Sequence, residues 1–317
     1  MLIRKYNRNL TASMTGYSNA SEKAYTGRQF QKVSEDTSKA VVAMQTRRQL
    51  TRIEGHQSNI LAAKSHLQVA EDLMMDFHDL YKEAYTNTLQ GKNGTYDESQ
   101  HKIIANNLAG IQDSMMKVLN SKSDEKHVFA GAASQTKPFD VDADGYLVYN
   151  GSDPEDKLYL DIGLGVKIDP NTGKPDPSSV LEYSVNGEDF LGPARNEDGT
   201  PNKDNIFNIL TDLINEFEKP EGEYSSAKID ELFAKLENSD GSILASITNL
   251  GSRTAYIDFN DERLESSELS LKEKQNNVEY VDLAAALIDV MSFEQAYLAT
   301  LQLGNKLIEP SFMDYMR

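Results

Sequence analysis

The sequence of 317 residues contains no cysteine. This absence excludes disulfide bonds, thiolate metal ligands and cysteine nucleophiles. Long apolar runs are also missing, since none approaches the ~20 residues that are needed to span a bilayer. The first 18 residues, MLIRKYNRNLTASMTGYS, include basic side chains but lack the apolar region of a Sec signal peptide. The sequence therefore predicts a protein without a membrane span and without Sec-dependent export.

Basic charge is scarce outside the N-terminal part of the chain. The net charge is −18, yet residues 1–52 carry ten Lys or Arg and only three acids, which makes this segment +7 and the remainder −25. A chain this acidic repels nucleic acid and anionic membranes, so neither is a predicted partner. Residues 261–317 carry eleven acids against five Lys or Arg. The two ends of the chain are therefore predicted to attract each other.

Proline is absent before Pro138, and seven of the nine prolines lie between Pro138 and Pro201. Because proline interrupts helices, long helices are predicted on both sides of this middle region. Two series of residues at seven-residue spacing predict helices that pack as a coiled coil. The first series is Ile53, Ile60, Leu67, Met74 and Tyr81, with His56, Ala63, Ala70, Phe77 and Ala84 three positions later; the second is Ile243, Leu250, Ile257, Leu264, Leu271, Val278 and Ala285.

The remaining elements complete the predicted fold class, which is mainly α with an inserted β domain. A third helix is predicted from Asp97, which has capping-box spacing to Gln100, to about Lys126, and a fourth follows Asp204. Alternating apolar residues in LYLDIGLGVKI, residues 158–168, predict a strand with one buried face. The N- and C-terminal arms then form a long helical bundle or coiled coil around the insertion. The predicted domains are residues 1–36, an N-terminal arm for assembly and export; 37–135, the first part of the bundle; 136–204, the β-rich insertion; 205–280, the second part of the bundle; and 281–317, a C-terminal assembly arm.

Motifs for catalysis and cofactor binding are missing from the sequence. The five histidines form no HExxH pair, and GxSxG, GxGxxG and GxxxxGK[ST] do not occur. We therefore expect no catalytic, cofactor-binding or metal-binding residues. Asp140, Asp142, Asp144 and Gly145 imitate the start of a calcium-binding loop, but its twelfth position is Gly151 rather than the required glutamate. A turn is predicted there instead.

Residues 24–43, AYTGRQFQKVSEDTSKAVVA, resemble the N-terminal signature of flagellin-like proteins. In that signature, a turn with Ser or Thr, Gly and Lys or Arg is followed by Ser-Asp-Asp and a helix. Glu35 stands where aspartate is usual, and Thr37 stands where hook-associated members often have proline. The matching residues are Thr26, Gly27, Arg28, Ser34 and Asp36.

Two further segments resemble one branch of this family, the flagellar hook-associated proteins of the hook–filament junction. The segment KHVFAGAASQTKPF, residues 126–139, is similar to the one that leads from the bundle into the β domain and contains Phe129, Ala130 and Gly131. The tail LATLQLGNKLIEPSFMDYMR, residues 298–317, is similar to the C-terminal helix of that branch. The resemblance covers both arms and the start of the insertion, and it implies a flagellin-like helical bundle.

The resemblance implies a structural protein rather than an enzyme. Such a protein is secreted through the flagellar export apparatus without a Sec signal peptide, and it polymerises as a ring that adapts the hook to the filament. The implied partners are other copies of the chain, the neighbouring hook-associated protein on the hook side, flagellin on the filament side, and an export chaperone on the C-terminal arm. Because of the charge asymmetry and the unpaired apolar tail, we also expect both arms to be disordered in the isolated monomer. The predicted assembly and chaperone interface consists of Tyr6, Leu10, Met14, Tyr17, Leu287, Met291, Leu298, Leu301, Ile308 and Phe312.

Three alternatives stay open at this point. Flagellin shares the same chain ends, although the Phe-Ala-Gly segment and the Pro-Ser-Phe-Met-Asp-Tyr ending favour the junction protein. A general coiled-coil scaffold predicts a stable dimer without a β insertion. A calcium-binding surface protein, suggested by residues 140–145, predicts a melting temperature that rises with calcium.

Overall fold

The computed structural model describes residues 2–92, 97–170, 172–176, 179–220 and 223–313, without the side chains of Leu2 and of residues 306–313. Within these ranges the chain forms seven helices and six short strands. The helices are α1 (Leu2–Thr26), α2 (Thr37–Lys92), α3 (Glu98–Leu119), α4 (Glu188–Leu191), α5 (Ile206–Phe217), α6 (Ser226–Glu279) and α7 (Leu283–Met313). The strands are β1 (Lys122–Ser123), β2 (Lys126–His127), β3 (Phe139–Val141), β4 (Leu147–Tyr149), β5 (Tyr159–Leu160) and β6 (Leu181–Glu182). The predicted fold class is confirmed.

The chain divides into two compact units. One unit consists of residues 55–263, and the other combines residues 1–54 with residues 264–317. These two units divide the chain after residues 54 and 263, which are not among the domain boundaries predicted from the sequence. The predicted domains, which follow function as well as compactness, remain a prediction.

The predicted heptad residues form the core of the 55–263 unit. Ile60, Leu67, Met74 and Phe77 of α2 are at most 1% exposed, and Ile243 and Ile257 of α6 are equally buried. An ion pair and a hydrogen bond flank this seam, with Lys64 Nζ 2.6 Å from Asp258 Oδ1 and His78 Nε2 2.8 Å from Asp240 Oδ1. The coiled-coil pairing of α2 with α6 is therefore confirmed in this unit.

The second heptad series ends earlier than predicted. Helix α6 ends at Glu279 and α7 begins at Leu283, so the helical register is interrupted before Ala285. Ala285 is exposed, and Ala286 is the buried residue instead.

The strands form three antiparallel pairs, β1–β2, β3–β4 and β5–β6. The single long strand predicted for residues 158–168 is wrong, because only Tyr159 and Leu160 lie in a strand. Gly163 and Gly165 have φ of 81° and 80°, and these left-handed conformations bend the backbone out of an extended path. As a consequence, Leu164, Val166 and Ile168 are 39%, 48% and 64% exposed.

Helix α3 has the predicted start and an earlier end. Asp97 Oδ1 accepts from Gln100 N, and Gln100 Oε1 accepts from Asp97 N, so the capping box is confirmed. The helix ends at Leu119 rather than near Lys126. Asp124 and Glu125 have φ of 48° and 64°, which forms the turn of the β1–β2 hairpin and excludes a continuous helix. The fourth predicted helix is confirmed as α5, which Asn205 caps.

The segment that imitates a calcium loop is the turn between β3 and β4. Asp142 Oδ1 accepts from Asp144 N and Tyr146 N, and Gly145 alone of these residues has a positive φ, 82°. Among the described residues, no group of three or more His, Asp or Glu side chains is placed to hold a metal ion. The predicted turn is confirmed. The three strand pairs also argue against the alternative of a general coiled-coil scaffold, which predicts no β insertion.

In the described part of the chain, no helix combines the length and the apolar character that crossing a membrane requires.

Candidate assembly surface

Helices α1 and α7 lie side by side and antiparallel in the unit formed by the chain ends. The rings of Tyr17 and Tyr297 stack with centroids 6.3 Å apart and planes 7° from parallel. Ser13 Oγ lies 3.3 Å from Thr300 Oγ1. These contacts confirm that the two ends of the chain associate, as their opposite charges predict.

Two glycines allow aromatic rings to fit between these helices. A Cβ atom on Gly16 would lie 2.7 Å from Cδ1 of Phe293, and one on Gly304 would overlap the ring of Tyr6. Larger residues at either position would push a ring out of the interface. The small residues therefore set how closely α1 and α7 approach.

The predicted flagellin-like turn connects α1 to α2. Gly27 has a φ of 66° immediately after the last residue of α1, which ends that helix. Asp36 caps α2, since its Oδ1 accepts from Lys39 N at 2.9 Å. Ser34 lies in the turn between them, and Glu35 Oε2 accepts from Gln31 N. Asp36, rather than Ser34, therefore caps α2.

Backbone hydrogen bonds connect this turn to the segment between α6 and α7. Gln29 N donates to Glu279 O at 2.8 Å, and Val281 N donates to Gly27 O at 3.0 Å. Arg28 forms an antiparallel bridge with Tyr280. The inner ends of both terminal helices are therefore held at one place.

A bidentate ion pair strengthens this connection. Arg47 Nε donates to Glu279 Oε1 at 2.7 Å, and Arg47 Nη2 donates to Glu279 Oε2. The Glu279 side chain is 4% exposed and the Arg47 side chain 55%. The hydrogen bond from Arg47 lowers the pKa of Glu279 below its ordinary value of 4.5, against the opposing effect of burial.

We predict that the stabilising effect of Arg47 depends on pH. Because the folded-state pKa of Glu279 is lowered, the pair stabilises the fold above pH ~4.5, and this contribution is lost as the pH falls through the lowered pKa. Arg47→Gln should therefore lower the urea unfolding midpoint at pH 7, and the difference from wild type should shrink towards pH 3. Arg48→Gln, a matched change at an exposed neighbour, should have little effect at either pH. A difference that stays constant with pH would contradict this role of the pair.

The structure separates the predicted interface residues into two groups. Tyr6 and Tyr17 are half-buried and face α7, and Leu10 is also half-buried. The side chains exposed to solvent are Met14 at 61%, Leu287 at 48%, Met291 at 61% and Leu298 at 49%. Leu301 is half-buried, and the side chains of Ile308 and Phe312 lie outside the described residues.

Leu287, Met291 and Leu298 form what we call the outer stripe of α7. Their spacing of four and seven residues places them on one face of the helix. The residues that contact α1 lie on another face, at Phe293, Tyr297, Thr300 and Gly304. The outer stripe therefore lies on a different face of α7 from these contacts with α1.

We call the α7 residues that contact α1, namely Phe293, Tyr297, Thr300 and Gly304, the inner face of α7. They were not among the predicted interface residues, although their spacing of four, three and four residues is visible in the sequence. Further exposed apolar residues on these helices also lie outside the predicted set. They are Ile3 at 74%, Tyr25 at 93%, Leu283 at 55%, Ile288 at 67%, Phe293 at 42% and Leu303 at 60%.

The Phe129-Ala130-Gly131 segment lies in the 55–263 unit. Phe129 and Ala130 are fully buried, and Phe129 meets Phe190 at a centroid distance of 5.4 Å with the rings at 63°. Gly131 has a φ of 59°, and a Cβ atom there would collide with Oγ of Ser152. This motif therefore positions the chain at the entry to the insertion rather than presenting a surface.

Comparison with known proteins agrees with this geometry. Residues 1–134 match the model of the bacterial flagellin N-terminal helical region. Flagellar hook-associated protein 3 of Salmonella typhimurium is 23% identical over 283 residues, which cover 86% of this chain and 84% of the relative. The predicted resemblance is confirmed. Hook-associated relatives thus account for most of the chain's length.

Solved structures share the fold. A Vibrio parahaemolyticus protein assigned to the flagellar hook-associated proteins superposes with a TM-score of 0.65 at 20% identity, covering 78% of this chain and all of that one. Hook-associated protein 3 of Legionella pneumophila gives a TM-score of 0.59 at 14% identity, covering 74% and 99%. FlgL of Bacillus cereus gives 0.55 at 17% identity, covering 73% and 99%.

Proposed function

We propose that this chain is a structural subunit of the bacterial flagellum that joins the hook to the filament. The observation that carries the proposal is the alignment with a flagellar hook-associated protein along 86% of the chain. The exposed outer stripe on α7 supports it, because a subunit that polymerises needs apolar surface for its neighbours.

The proposed partners follow from the same surface and from the family. Copies of the chain associate in a ring through α1 and α7, with a hook-associated protein on the hook side and flagellin on the filament side. An export chaperone covers the outer stripe before secretion, since an apolar face at helical spacing suits binding in a groove. The export apparatus secretes the protein without a Sec signal.

Immunogold labelling of isolated flagella tests the proposed location. A single narrow band of label between hook and filament is the expected result. In a strain that lacks the gene, hooks should carry no filament, and expression of the full-length protein should restore the filament. Label along the whole filament would instead identify a flagellin, and unlabelled flagella would contradict the proposal.

We further predict that both arms become ordered only on assembly. In the isolated chain, α7 leaves large apolar side chains exposed, so few buried contacts hold the terminal pair. Limited proteolysis of the isolated protein should remove roughly 30–40 residues from each end before it cuts the helical core. The same ends should resist protease in isolated hook–basal bodies. Ends that are equally resistant in both samples would contradict the prediction.

A further inference from the structure

All the sulfur of this chain lies in its ten methionines, because cysteine is absent. The described methionine side chains differ in exposure. Met74 and Met115 are fully buried and Met116 is half-buried, whereas four others are exposed: Met14 at 61%, Met44 at 47%, Met75 at 54% and Met291 at 61%. Accessibility governs how readily a thioether is oxidised to the sulfoxide. The exposed group is therefore the group that an oxidant in solution reaches.

Two of the four exposed methionines lie on the terminal helices. Met291 belongs to the outer stripe of α7, four residues after Leu287 and seven before Leu298. Met14 is exposed on α1 next to Ser13, whose Oγ lies 3.3 Å from Thr300 Oγ1 of α7. Met44 lies on α2 beside Arg47 and Glu279, in the same unit as the terminal helices, whereas Met75 lies on α2 in the 55–263 unit. Met75 is therefore the matched internal control.

We propose that Met291, together with Met14, is an oxidation site through which a peroxide switches off the assembly surface. The inference rests on the proposed function, since it concerns the surface through which subunits are proposed to associate. It adds regulation of subunit association by oxidation.

The reaction is a two-electron oxygen transfer. The thioether sulfur of methionine attacks one oxygen of hydrogen peroxide, an S–O bond forms, and the O–O bond breaks. The sulfur is oxidised to the sulfoxide, and the remaining peroxide oxygen leaves as water after proton transfer. No thiolate on this chain competes for the oxidant.

The product no longer suits an apolar contact. A sulfoxide oxygen is a strong hydrogen-bond acceptor, and its neighbours on the outer stripe, Leu287 and Leu298, offer only hydrocarbon. Burying it against another subunit without a donor is unfavourable. Oxidation before assembly should therefore block packing, whereas a packed subunit should shield the same sulfur from the oxidant.

The first measurement maps the sites. Purified full-length protein is treated with hydrogen peroxide, the excess is removed with catalase, and sulfoxides are located by peptide mass spectrometry. Sulfoxide is expected at the four exposed methionines, with Met74 and Met115 spared and the helical circular dichroism unchanged. Oxidation of Met74 and Met115 along with lost helicity would overturn the proposal, because unfolding would then explain any loss of assembly.

The second measurement follows binding to hook–basal bodies isolated from a strain that lacks the gene. Bound protein is quantified after sedimentation, and each variant is compared with its own untreated sample. Peroxide should lower wild-type binding at least tenfold, and methionine sulfoxide reductases of both stereospecificities should restore it. The double variant Met14→Leu with Met291→Leu should lose little binding on treatment. The control, Met75→Leu, should lose as much binding on treatment as wild type.

The results distinguish this inference from the proposed function. Untreated wild-type protein that fails to bind would overturn the proposed function, and the switch with it. Binding by untreated protein that persists after Met291 is oxidised would overturn the oxidation site alone. The same conclusion would follow if the Met14→Leu, Met291→Leu variant remained as sensitive to peroxide as wild type.

Discussion

Leu298→Asp should abolish incorporation into the flagellum while the rest of the chain stays folded. Leu298 is 49% exposed, so a carboxylate there is hydrated in the isolated protein and costs little. Once a neighbouring subunit covers the outer stripe, the same charge is buried without a partner. A penalty of about 3 kcal/mol at each contact corresponds to roughly 100-fold weaker association.

Leu298 is a sharper choice than Leu301 for this experiment. Leu301 is half-buried next to the contacts between α1 and α7, so a charge there would also disturb the pairing of these two helices. Ser292→Asp provides the matched control, because Ser292 is exposed on α7, lies off the outer stripe and receives the same charge.

The assembly assay is restoration of filaments in a strain that lacks the gene, with secreted protein measured in the medium. Leu298→Asp should fail to restore filaments, and Ser292→Asp should restore them. If the proposed chaperone uses the same stripe, Leu298→Asp should also weaken its binding to the full-length protein. Normal chaperone binding with lost assembly would show that the two partners use different faces.

Sequence periodicity predicted the long helices because it reports directly on burial. Heptad residues such as Leu67 and Phe77 are apolar because the seam between α2 and α6 requires it, and both are fully buried. The same reasoning identified the outer stripe of α7. It did not identify the inner face with Phe293 and Tyr297, because periodicity shows that a face is apolar without showing which partner covers it.

The secondary-structure predictions failed where single residues with a left-handed backbone conformation set the direction of the chain. Alternation in LYLDIGLGVKI satisfied the pattern of a strand, yet Gly163 and Gly165 turn the chain away after Leu160. Helix α3 ends early because Asp124 and Glu125 adopt positive φ, which neither residue type indicates strongly. Such positions depend on tertiary contacts and leave little trace in a hydrophobic pattern.

The Phe-Ala-Gly segment shows a different limit. Its sequence is informative about family, but the roles of its residues depend on contacts across the fold. Phe129 O accepts from Gly187 N at 3.1 Å, and Gly131 N donates to Val185 O at 3.1 Å. No local pattern predicts that residues more than 50 positions later complete this segment.

Phe129→Ala should cost about 3–5 kcal/mol of folding free energy, a large part of the stability of an ordinary domain. Phe129 is fully buried and joins a series of aromatic rings in the 55–263 unit. Its ring meets Phe190 at 5.4 Å, and Phe190 in turn meets Phe77 of α2 at 5.3 Å with the planes at 74°. Edge-to-face pairs of this kind add to the value of the buried area.

Urea unfolding of full-length protein, followed by circular dichroism, measures this cost. Phe259→Ala is the matched control, since Phe259 lies in the same unit but is 64% exposed, and its replacement should change the free energy of unfolding by less than ~0.5 kcal/mol. If Phe129→Ala fails to fold, Phe129→Leu retains most of the apolar volume and should give a smaller measurable loss. A double-mutant cycle with Phe190→Ala then isolates the ring–ring interaction, which should be about 0.5–1.5 kcal/mol. Equal costs for Phe129→Ala and Phe259→Ala would show that this aromatic series does not hold the insertion to the helical core, because burial is what distinguishes the two phenylalanines.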